Sequence, residues 1–439
     1  MTTLTILSAT WSERPVTMRL PFQFGSTEVR ETAEAHARVE IEVNGTRVTG
    51  RSAQLMVPRW FNKSAEMSNA DTIDELRAVV DSAVAGAPGL RGTALDVTRA
   101  LRDGLDRALP QTPPLARCFG PALVEMAVID AICTALRLPF WKAAREDVFG
   151  LVSGCPNDLL PADLSRSLDS ISAPKALVLR HTVGFDAPLR QADVGQDRPG
   201  DGRPVSLDEV IEETGVSAFK IKLKGGPDAD HRRLCDIAGL LDKGGDYAVT
   251  LDANEQYAPR DFEAFLSALA KDATLKRFFS AVRFVEQPFP REIALTAPVE
   301  ASLPLIIDES DDTEDAFARA LALGWSGTSI KSCKGVLRAL INKARAEVAG
   351  AILSGEDLTC QPGICWLQDA AMMSACGVRD VERNGHHFAG GMQGAPEEER
   401  AMLLERHDDI LMQDRNGVAL RIAGGSVEIG SLARPGFGC

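Results

Sequence analysis

The sequence predicts an α/β protein built on a (β/α) barrel, in the form of a modified TIM barrel, with an N-terminal α+β capping domain. Eight short apolar runs alternate with amphipathic segments, and the unit recurs at roughly 20–35 residues, the length of a βα repeat. A hairpin followed by helices precedes these repeats, which indicates a separate first domain. Charged residues end five successive apolar runs, at the face where a barrel carries its active site.

Composition narrows the possible functions. The chain has 439 residues, of which 45% are hydrophobic and 25% charged, as expected for a globular protein with a barrel and a smaller domain. The formal net charge of -14 argues against a nucleic-acid partner, which would require a basic surface. We find no apolar run near the ~20 residues that cross a bilayer, and no basic start typical of a signal peptide. We therefore expect no membrane partner.

The cysteines indicate a reducing compartment. There are nine, scattered along the chain, with no CxxC pair and no Cys/His cluster at zinc spacing. We expect reduced, mostly buried thiols in a cytoplasmic protein.

The first domain is predicted over residues 1–145 and begins with a hairpin. Apolar and acidic residues alternate over residues 39–43, and Asn44 and Gly45 then supply the two residues of a type I′ turn. Residues 391–439 form a tail with a last strand-like stretch at residues 426–429, which we expect to return to this domain.

Three helices are predicted to follow the hairpin. Residues 72–75 fit a capping box and precede an apolar stripe, and residues 93–109 continue the helical period. A third helix is predicted from Pro121 through Leu136.

The barrel is predicted over residues 146–390. Its runs are near-continuously apolar, as parallel strands covered on both faces should be, and eight of them favour a closed barrel over an open sheet. The predicted strands are residues 176–183, 218–223, 248–251, 282–285, 303–307, 328–330, 351–353 and 378–381. The polar residues 191–203 predict a long loop after the first strand, either a mobile surface loop or a lid or interface element.

The strand ends carry the chemistry. Lys220 and Lys222 alternate along the second strand and therefore share one face, which in a barrel is the interior. Asp252, Glu286, Asp308 and Lys331 end the next four strands in turn. A single charged residue after an apolar run usually marks only the point where the strand ends and the chain enters solvent. Five successive strands that all end in this way predict an active site at the C-terminal face of the barrel.

Grouped carboxylates predict a metal. Three carboxylates that converge on one point repel one another, and burial raises their pKa values until protons neutralise them. A bound divalent cation removes this conflict. All-oxygen ligation without His or Cys suits Mg²⁺, leaves Mn²⁺ possible and fits Zn²⁺ poorly. Lysines on both sides can act on a bound substrate from opposite faces. We expect Lys220 and the metal to lower the pKa of the neighbouring Lys222 towards the range of a general base.

These residues together resemble the enolase superfamily, in its muconate-lactonizing and mandelate-racemase-like branch. The resemblance extends over nearly the whole chain and implies that Asp252, Glu286 and Asp308 bind Mg²⁺. It also implies that Lys222 is a base oriented by Lys220, and that Lys331 is the acid or base on the other face. Asn254 and Glu309 would be partners that fix the metal ligands. It also places residues 22–25 and 56–60 where specificity loops of the first domain are expected.

The resemblance implies removal of the α-proton of a small-molecule carboxylate to give a metal-stabilised enediolate. We expect a racemase or epimerase. A cycloisomerase or a dehydratase acting by syn-elimination is the alternative, and a barrel that binds a metal or ligand without turnover is an alternative of another class. We also expect a homo-oligomer.

Two features depart from individual branches of that superfamily. The sixth strand carries Lys331 where mandelate racemase uses a His–Asp pair, and the eighth lacks the DxD with which dipeptide epimerases hold the substrate amine. The following residues are pocket candidates, for which turns and solvated loops are equally good interpretations: Glu356, Asp357, His386 and His387, with His181 a weaker candidate.

Overall fold

The computed structural model describes residues 2–25, 27–196, 198–357 and 359–439. The first domain is built on an antiparallel sheet in the order β3-β2-β1-β4. Its strands are β1 (Leu4–Phe24), β2 (Thr27–Val43), β3 (Thr46–Met56) and β4 (Arg91–Gly92). Asn44 and Gly45 have φ of 51° and 73°, so the predicted I′ turn between β2 and β3 is confirmed.

Four helices complete this domain: α1 (Asn69–Gly86), α2 (Ala94–Ala108), α3 (Pro114–Leu136) and α4 (Phe140–Arg145). The predicted capping box at residues 72–75 is wrong, because α1 starts earlier. Ser68 and Asp71 cap it reciprocally, whereas Thr72 is buried and accepts a hydrogen bond from the Arg59 amide. The third helix starts seven residues before the predicted Pro121, since Pro114 at its first turn needs no amide partner.

Helix α3 is the central core helix of the first domain. By length and composition it could cross a membrane, but 83% of its most apolar stretch is buried inside the protein. It packs against β3, β2 and α1. Arg117, Glu125 and Asp130 interrupt its apolar sequence, so the helix contains no continuous apolar run of membrane-spanning length.

Eight parallel strands, β5 to β12, close into a barrel through the pairing of β12 with β5. They are β5 (Ala176–Val183), β6 (Ala218–Lys222), β7 (Ala248–Asp252), β8 (Val282–Glu286), β9 (Leu305–Ile307), β10 (Gly327–Ile330), β11 (Ile352–Gly355) and β12 (Val381–Arg383). The predicted barrel with its capping domain is confirmed. The eighth strand begins three residues later than predicted, because the Val378 amide bonds back to the Met373 carbonyl and closes the preceding helix.

Helices surround this barrel. They are α5 (Pro161–Asp169), α6 (Leu207–Thr214), α7 (Pro227–Leu241), α8 (Pro259–Lys271), α9 (Lys276–Ala281), α10 (Arg291–Ala294), α11 (Ala316–Ala322), α12 (Val336–Ala349), α13 (Ile364–Cys376) and α14 (Gly385–Phe388). Helix α5 precedes the first barrel strand and packs against α12.

The tail contacts both domains. It contains α15 (Glu397–Arg406), β13 (Leu411–Asp414), β14 (Gly417–Leu420) and β15 (Ser426–Glu428). Strand β15 falls within the predicted strand-like stretch at residues 426–429, but it pairs antiparallel with the barrel strand β5 and not with the first domain. The Phe140 amide donates to the Gly436 carbonyl, and the rings of Phe140 and Phe437 lie 4.4 Å apart. The last residues therefore pack on the first domain.

The loop at residues 191–203 contacts both strand β1 and the tail. Asp197 of this loop lies outside the described residues. Asp201 pairs with Arg19 of β1, and Arg203 donates to Asp414 of the tail at 2.6 Å. Of the two interpretations, these contacts favour an interface element.

Candidate active site

The strand ends bring the predicted residues together. Lys222, Asp252 and Glu286 are register partners across β6, β7 and β8. All three are buried, as are Asp308 after β9 and Lys331 after β10. Because parallel strands present their carboxyl ends at one face, these side chains share one end of the barrel.

The backbone that presents the carboxylates is strained. Asn254, Glu255 and Gln287 have φ of 44°, 72° and 38°, in the left-handed region that non-glycine residues seldom adopt. The side-chain oxygen of Gln287 accepts hydrogen bonds from the Asp308 amide at 2.8 Å and the Ser310 amide at 3.1 Å, so it fixes the turn after β9. Such strain concentrates at functional sites, where the surrounding structure must hold it.

Lys220 lies among four carboxylates. Its Nζ is 2.5 Å from Glu356, 2.8 Å from Glu286, 3.0 Å from Asp252 and 3.3 Å from Glu382. Burial lowers the pKa of Lys220, but the charges of these carboxylates outweigh it, and the pKa lies well above its usual value. The first lysine of the pair is therefore a firmly protonated counter-ion, and it contacts the predicted metal ligands directly.

Lys222 is held in one direction. Its Nζ donates to Asp252 Oδ2 at 2.6 Å and to Asn254 Oδ1 at 3.0 Å. Asp252 Oδ1 in turn accepts from the Asn254 amide at 2.9 Å. Two acceptors fix the ammonium at the mouth of the barrel, in the position expected of a proton-transfer group.

Asp308 is the partner of Lys331. The Lys331 Nζ lies 2.5 Å from Asp308 Oδ2, and Lys334, which the sequence analysis missed, lies 3.0 Å from Oδ1. Burial alone would raise the pKa of Asp308, but Lys331 and Lys334 hold it well below its usual range. Burial alone would also raise the pKa of Asp252, but the charges of Lys220 and Lys222 outweigh burial, and this pKa is lowered as well. At these two carboxylates the neighbouring lysines offset the negative charge that burial disfavours.

Glu286 is the exception. Burial, together with the charges of Asp252 and Glu356, raises its pKa well above its usual value. Both carboxylate oxygens of Glu286 are buried and accept no hydrogen bond among the described residues, and Oε2 forms an ion pair with the Lys220 ammonium at 2.8 Å. A buried carboxylate that accepts no hydrogen bond, and that lies between two aspartates with lowered pKa values, is a good ligand for a divalent cation, so the predicted Mg²⁺ site fits the residues present.

Lys63 connects the first domain to the predicted ligands. Its Nζ donates to Glu309 Oε1 and to the Asn254 carbonyl, both at 2.9 Å, and lies 2.6 Å from Glu255. Asn254 Nδ2 is 3.4 Å from Glu309 Oε1. The predicted supporting pair, Asn254 and Glu309, therefore lies together beside the site, with a lysine from the first domain between them.

Glu356 lies inside the barrel and pairs with an arginine that the sequence analysis missed. Arg180, on β5, is 2% exposed and contacts both Glu356 and Asp380. The charged Arg180, directly after the apolar residues 176–179 of the same strand, was the signal for this pair. Glu382 is also missed, although it lies 2.7 Å from Thr182 Oγ1 and contacts Lys220.

We expect Arg180→Met to lower the free energy of unfolding by about 3–5 kcal/mol, because it leaves buried carboxylates short of a charge partner. Chemical unfolding measures this loss. Arg166→Met is the control, since its pair with Asp163 is 75% exposed on the arginine side and should be worth about 0–1 kcal/mol. An Arg180 variant as stable as that control would contradict the prediction.

The remaining pocket candidates lie in different cavities. Asp357 lines the cavity at the strand ends. His181 and His387 instead line a neighbouring cavity of about 210 Å³, with their rings 4.8 Å apart, and His386 lines another near Arg19. The three histidines are buried, and desolvation holds the pKa of each well below its usual value.

The first domain covers the mouth of the barrel. Phe22, Phe24, Val57 and Trp60 line the cavity that also contains Lys222, and its volume is about 20 Å³. The Lys331 ammonium lies 4.4 Å from the centre of the Trp60 ring, within the range of a cation–π contact. The segments 22–25 and 56–60, predicted as specificity loops, lie at the ends of strands β1 and β3, and they form an apolar roof over the charged residues of the site.

Comparison with known proteins gives one family match. The family described as "Enolase C-terminal domain-like" matches residues 205–439. A comparison with curated proteins gives no match.

Solved structures of the same fold cover nearly the whole chain. A Bradyrhizobium enolase complexed with magnesium and mandelic acid is 17% identical, with a TM-score of 0.63 over 98% of this chain and 96% of that one. The 2-chloromuconate cycloisomerase of Rhodococcus opacus is 16% identical, with a TM-score of 0.63 and coverage of 97% and 96%. The dipeptide epimerase of Enterococcus faecalis, complexed with Mg and L-Leu-L-Tyr, is 17% identical, with a TM-score of 0.60 and coverage of 96% and 99%.

Proposed function

The chain belongs to the enolase superfamily of enzymes, in its mandelate racemase and muconate lactonizing branch, and on that basis we propose that it racemises or epimerises a small carboxylate by moving its α-proton. The observation that supports this most is the placement of Lys222 and Lys331. They end β6 and β10, which are four strands apart in a closed ring of eight, with the carboxylate strands between them. Two lysines on opposing sides allow removal of a proton from one face and its return to the other.

Each lysine has a carboxylate that holds it. Asp252 and Asn254 orient the Lys222 ammonium, and Asp308 orients that of Lys331. A lysine ammonium must lose a proton before the side chain can act as a base. Weakening of the ion pair with its carboxylate favours this loss. A substrate bound between the two lysines presents one face of its α-carbon to the Lys222 amine and the opposite face to the Lys331 amine.

The three ligand carboxylates complete the site. Asp252, Glu286 and Asp308 would hold Mg²⁺, with Mn²⁺ as a substitute, and the ion would offset the negative charge that develops on the substrate carboxylate. Carbon acids next to a carboxylate are far weaker acids than a lysine ammonium, so the site must supply such stabilisation. Lys220, protonated among the carboxylates, adds a second positive charge on that side.

The roof restricts the substrate. Phe22, Phe24 and Trp60 offer apolar surface, which fits a compact substrate with an uncharged group away from its carboxylate. Strand β12 presents Glu382 and Arg383, not a pair of aspartates that would bind an amine.

A screen of carboxylic acids in deuterated solvent tests this function. We expect at least one compact acid to exchange its α-proton in the presence of Mg²⁺, and chiral chromatography to show racemised or epimerised product. A lactone or an eliminated product would instead identify a cycloisomerase or a dehydratase. Absence of exchange across the panel, with Mg²⁺ bound, would favour a barrel that binds without turnover.

A further inference from the structure

Two cysteines and an aspartate meet beneath the loop that follows β11. Cys360 lies in that loop, and Cys365 and Asp369 lie four residues apart on α13, which places them on one face of the helix. The two sulfurs are 2.8 Å apart, and Cys360 Sγ is 3.2 Å from Asp369 Oδ2. The side-chain oxygen of Gln54, from β3, lies 3.2 Å from Cys365 Sγ and 3.4 Å from Cys360 Sγ.

We propose that Cys360, Cys365 and Asp369, with Gln54 or Asp357 as a fourth ligand, bind a thiophilic divalent cation such as Zn²⁺. The site is separate from the carboxylates that would hold Mg²⁺, and it does not depend on the proposed function. Thiolate and carboxylate ligands suit Zn²⁺ and discriminate against Mg²⁺.

Three of the separations between donor atoms fit a tetrahedral ion. Bonds of about 2.3 Å to sulfur and 2.0–2.2 Å to oxygen give ligand–ligand edges of about 3.5 Å between sulfur and oxygen, and about 3.8 Å between two sulfurs. The three sulfur–oxygen distances of 3.2, 3.2 and 3.4 Å are near that value. The sulfurs must separate by about 1 Å, which rotation of the Cys360 side chain in its loop can supply.

Burial and charge favour a cation at this position. All the proposed ligands are buried, and Asp357, Cys360 and Asp369 form one of two groups among the described residues whose ligand atoms converge. Neither Asp357 nor Asp369 forms an ion pair with a lysine or arginine in the described part of the chain. Acidic side chains gathered away from water without a counter-ion are costly, and a bound cation removes that cost.

The other convergent group serves as an internal comparison. His231, Cys235 and Asp272 are only half-buried, and His231 already pairs with Asp272 at 3.1 Å. That pairing accounts for the group without a metal. Buried, closed ligation is typical of structural zinc sites, whereas buried thiols react poorly with oxidants.

A metal here would fasten the loop to the helix. The loop also carries Asp357 and Thr359, which line the cavity at the strand ends, and Gln54 belongs to the first domain. Two thiol protons would be released to solvent as the thiolates bind. With Gln54 as the fourth ligand, the ion would join the barrel to the capping domain.

Metal analysis of the full-length protein, purified without chelator, tests the site. We expect one equivalent of zinc per chain in wild type and in Cys235→Ser, and its loss in Cys360→Ser and in Cys365→Ser. Asp252→Asn should retain the zinc, which separates this site from the proposed Mg²⁺ site. Replacement by Co²⁺ should give a sulfur-to-cobalt charge-transfer band in wild type, in Cys235→Ser and in Asp252→Asn, and no such band in Cys360→Ser or Cys365→Ser.

Three results would overturn the proposal. One is wild-type protein that contains no zinc and, after reduction, gives no charge-transfer band with Co²⁺. A second is zinc retained at full occupancy by both cysteine variants. The third is seven free thiols in denaturant, two fewer than the nine in the sequence, which would indicate a Cys360–Cys365 disulfide instead. Should either serine variant fail to fold, Asp369→Asn provides the same comparison, with loss of zinc as the expected result and full retention as the contrary one.

Discussion

Lys222→Ala and Lys331→Ala are each expected to lower kcat by roughly 10²–10⁴-fold or more, because each removes a proton-transfer group. Mg²⁺ binding should be largely retained, since neither lysine is a predicted ligand. Steady-state kinetics on a substrate from the exchange screen measures the loss in activity, and calorimetric titration of Mg²⁺ measures the retained binding.

Lys224→Ala is the matched control for Lys222. It lies two residues further along the same run, but its side chain is 42% exposed and pairs with Asp186 at the surface. Its activity should be close to that of wild type. Full activity in either alanine variant of the proposed pair would remove that lysine from the mechanism.

Asp252→Asn is expected to weaken Mg²⁺ binding by more than the roughly 10–100-fold typical of a residue that only supports a ligand. The substitution removes a charged ligand and also an acceptor of the Lys222 ammonium, which lies 2.6 Å from Asp252 Oδ2. Turnover should therefore be lost together with metal affinity. Calorimetric titration of Mg²⁺ into the variant gives the dissociation constant.

Asp246→Asn controls for the change in net charge, because this exposed residue lies just before the same strand. Its Mg²⁺ affinity should equal that of wild type. Unchanged affinity in the Asp252 variant would mean that the cation binds elsewhere.

The central residues were predictable because strand geometry is local. Alternation along β6 places Lys220 and Lys222 on one face, and apolar runs that end in Asp252, Glu286 and Asp308 mark the carboxyl ends of successive parallel strands. Parallel pairing then brings those ends together without further information. The same reasoning predicted the closed barrel.

Contacts between distant segments were not predictable in this way. Lys63 reaches Glu309 across 246 positions, and Trp60 lies against Lys331 only because the first domain folds over the barrel. The raised pKa of Lys220 depends first on Asp252 and Glu286 and further on Glu356 and Glu382, which approach it only when the barrel closes. The C-x4-C spacing of Cys360 and Cys365, which occurs in zinc sites, was missed by the sequence analysis, and their proximity to Gln54 depends on the packing of β3.

Proton abstraction by two opposed lysines is tested most directly by proton NMR in D₂O, with each enantiomer of a racemised substrate offered separately. Wild-type protein should exchange the α-proton of both enantiomers. Lys222→Ala and Lys331→Ala should each exchange that of one enantiomer only, and the two variants should select opposite enantiomers. Loss of all exchange in both variants would favour a single-base elimination, and exchange of both enantiomers by either variant would contradict the assignment of that lysine.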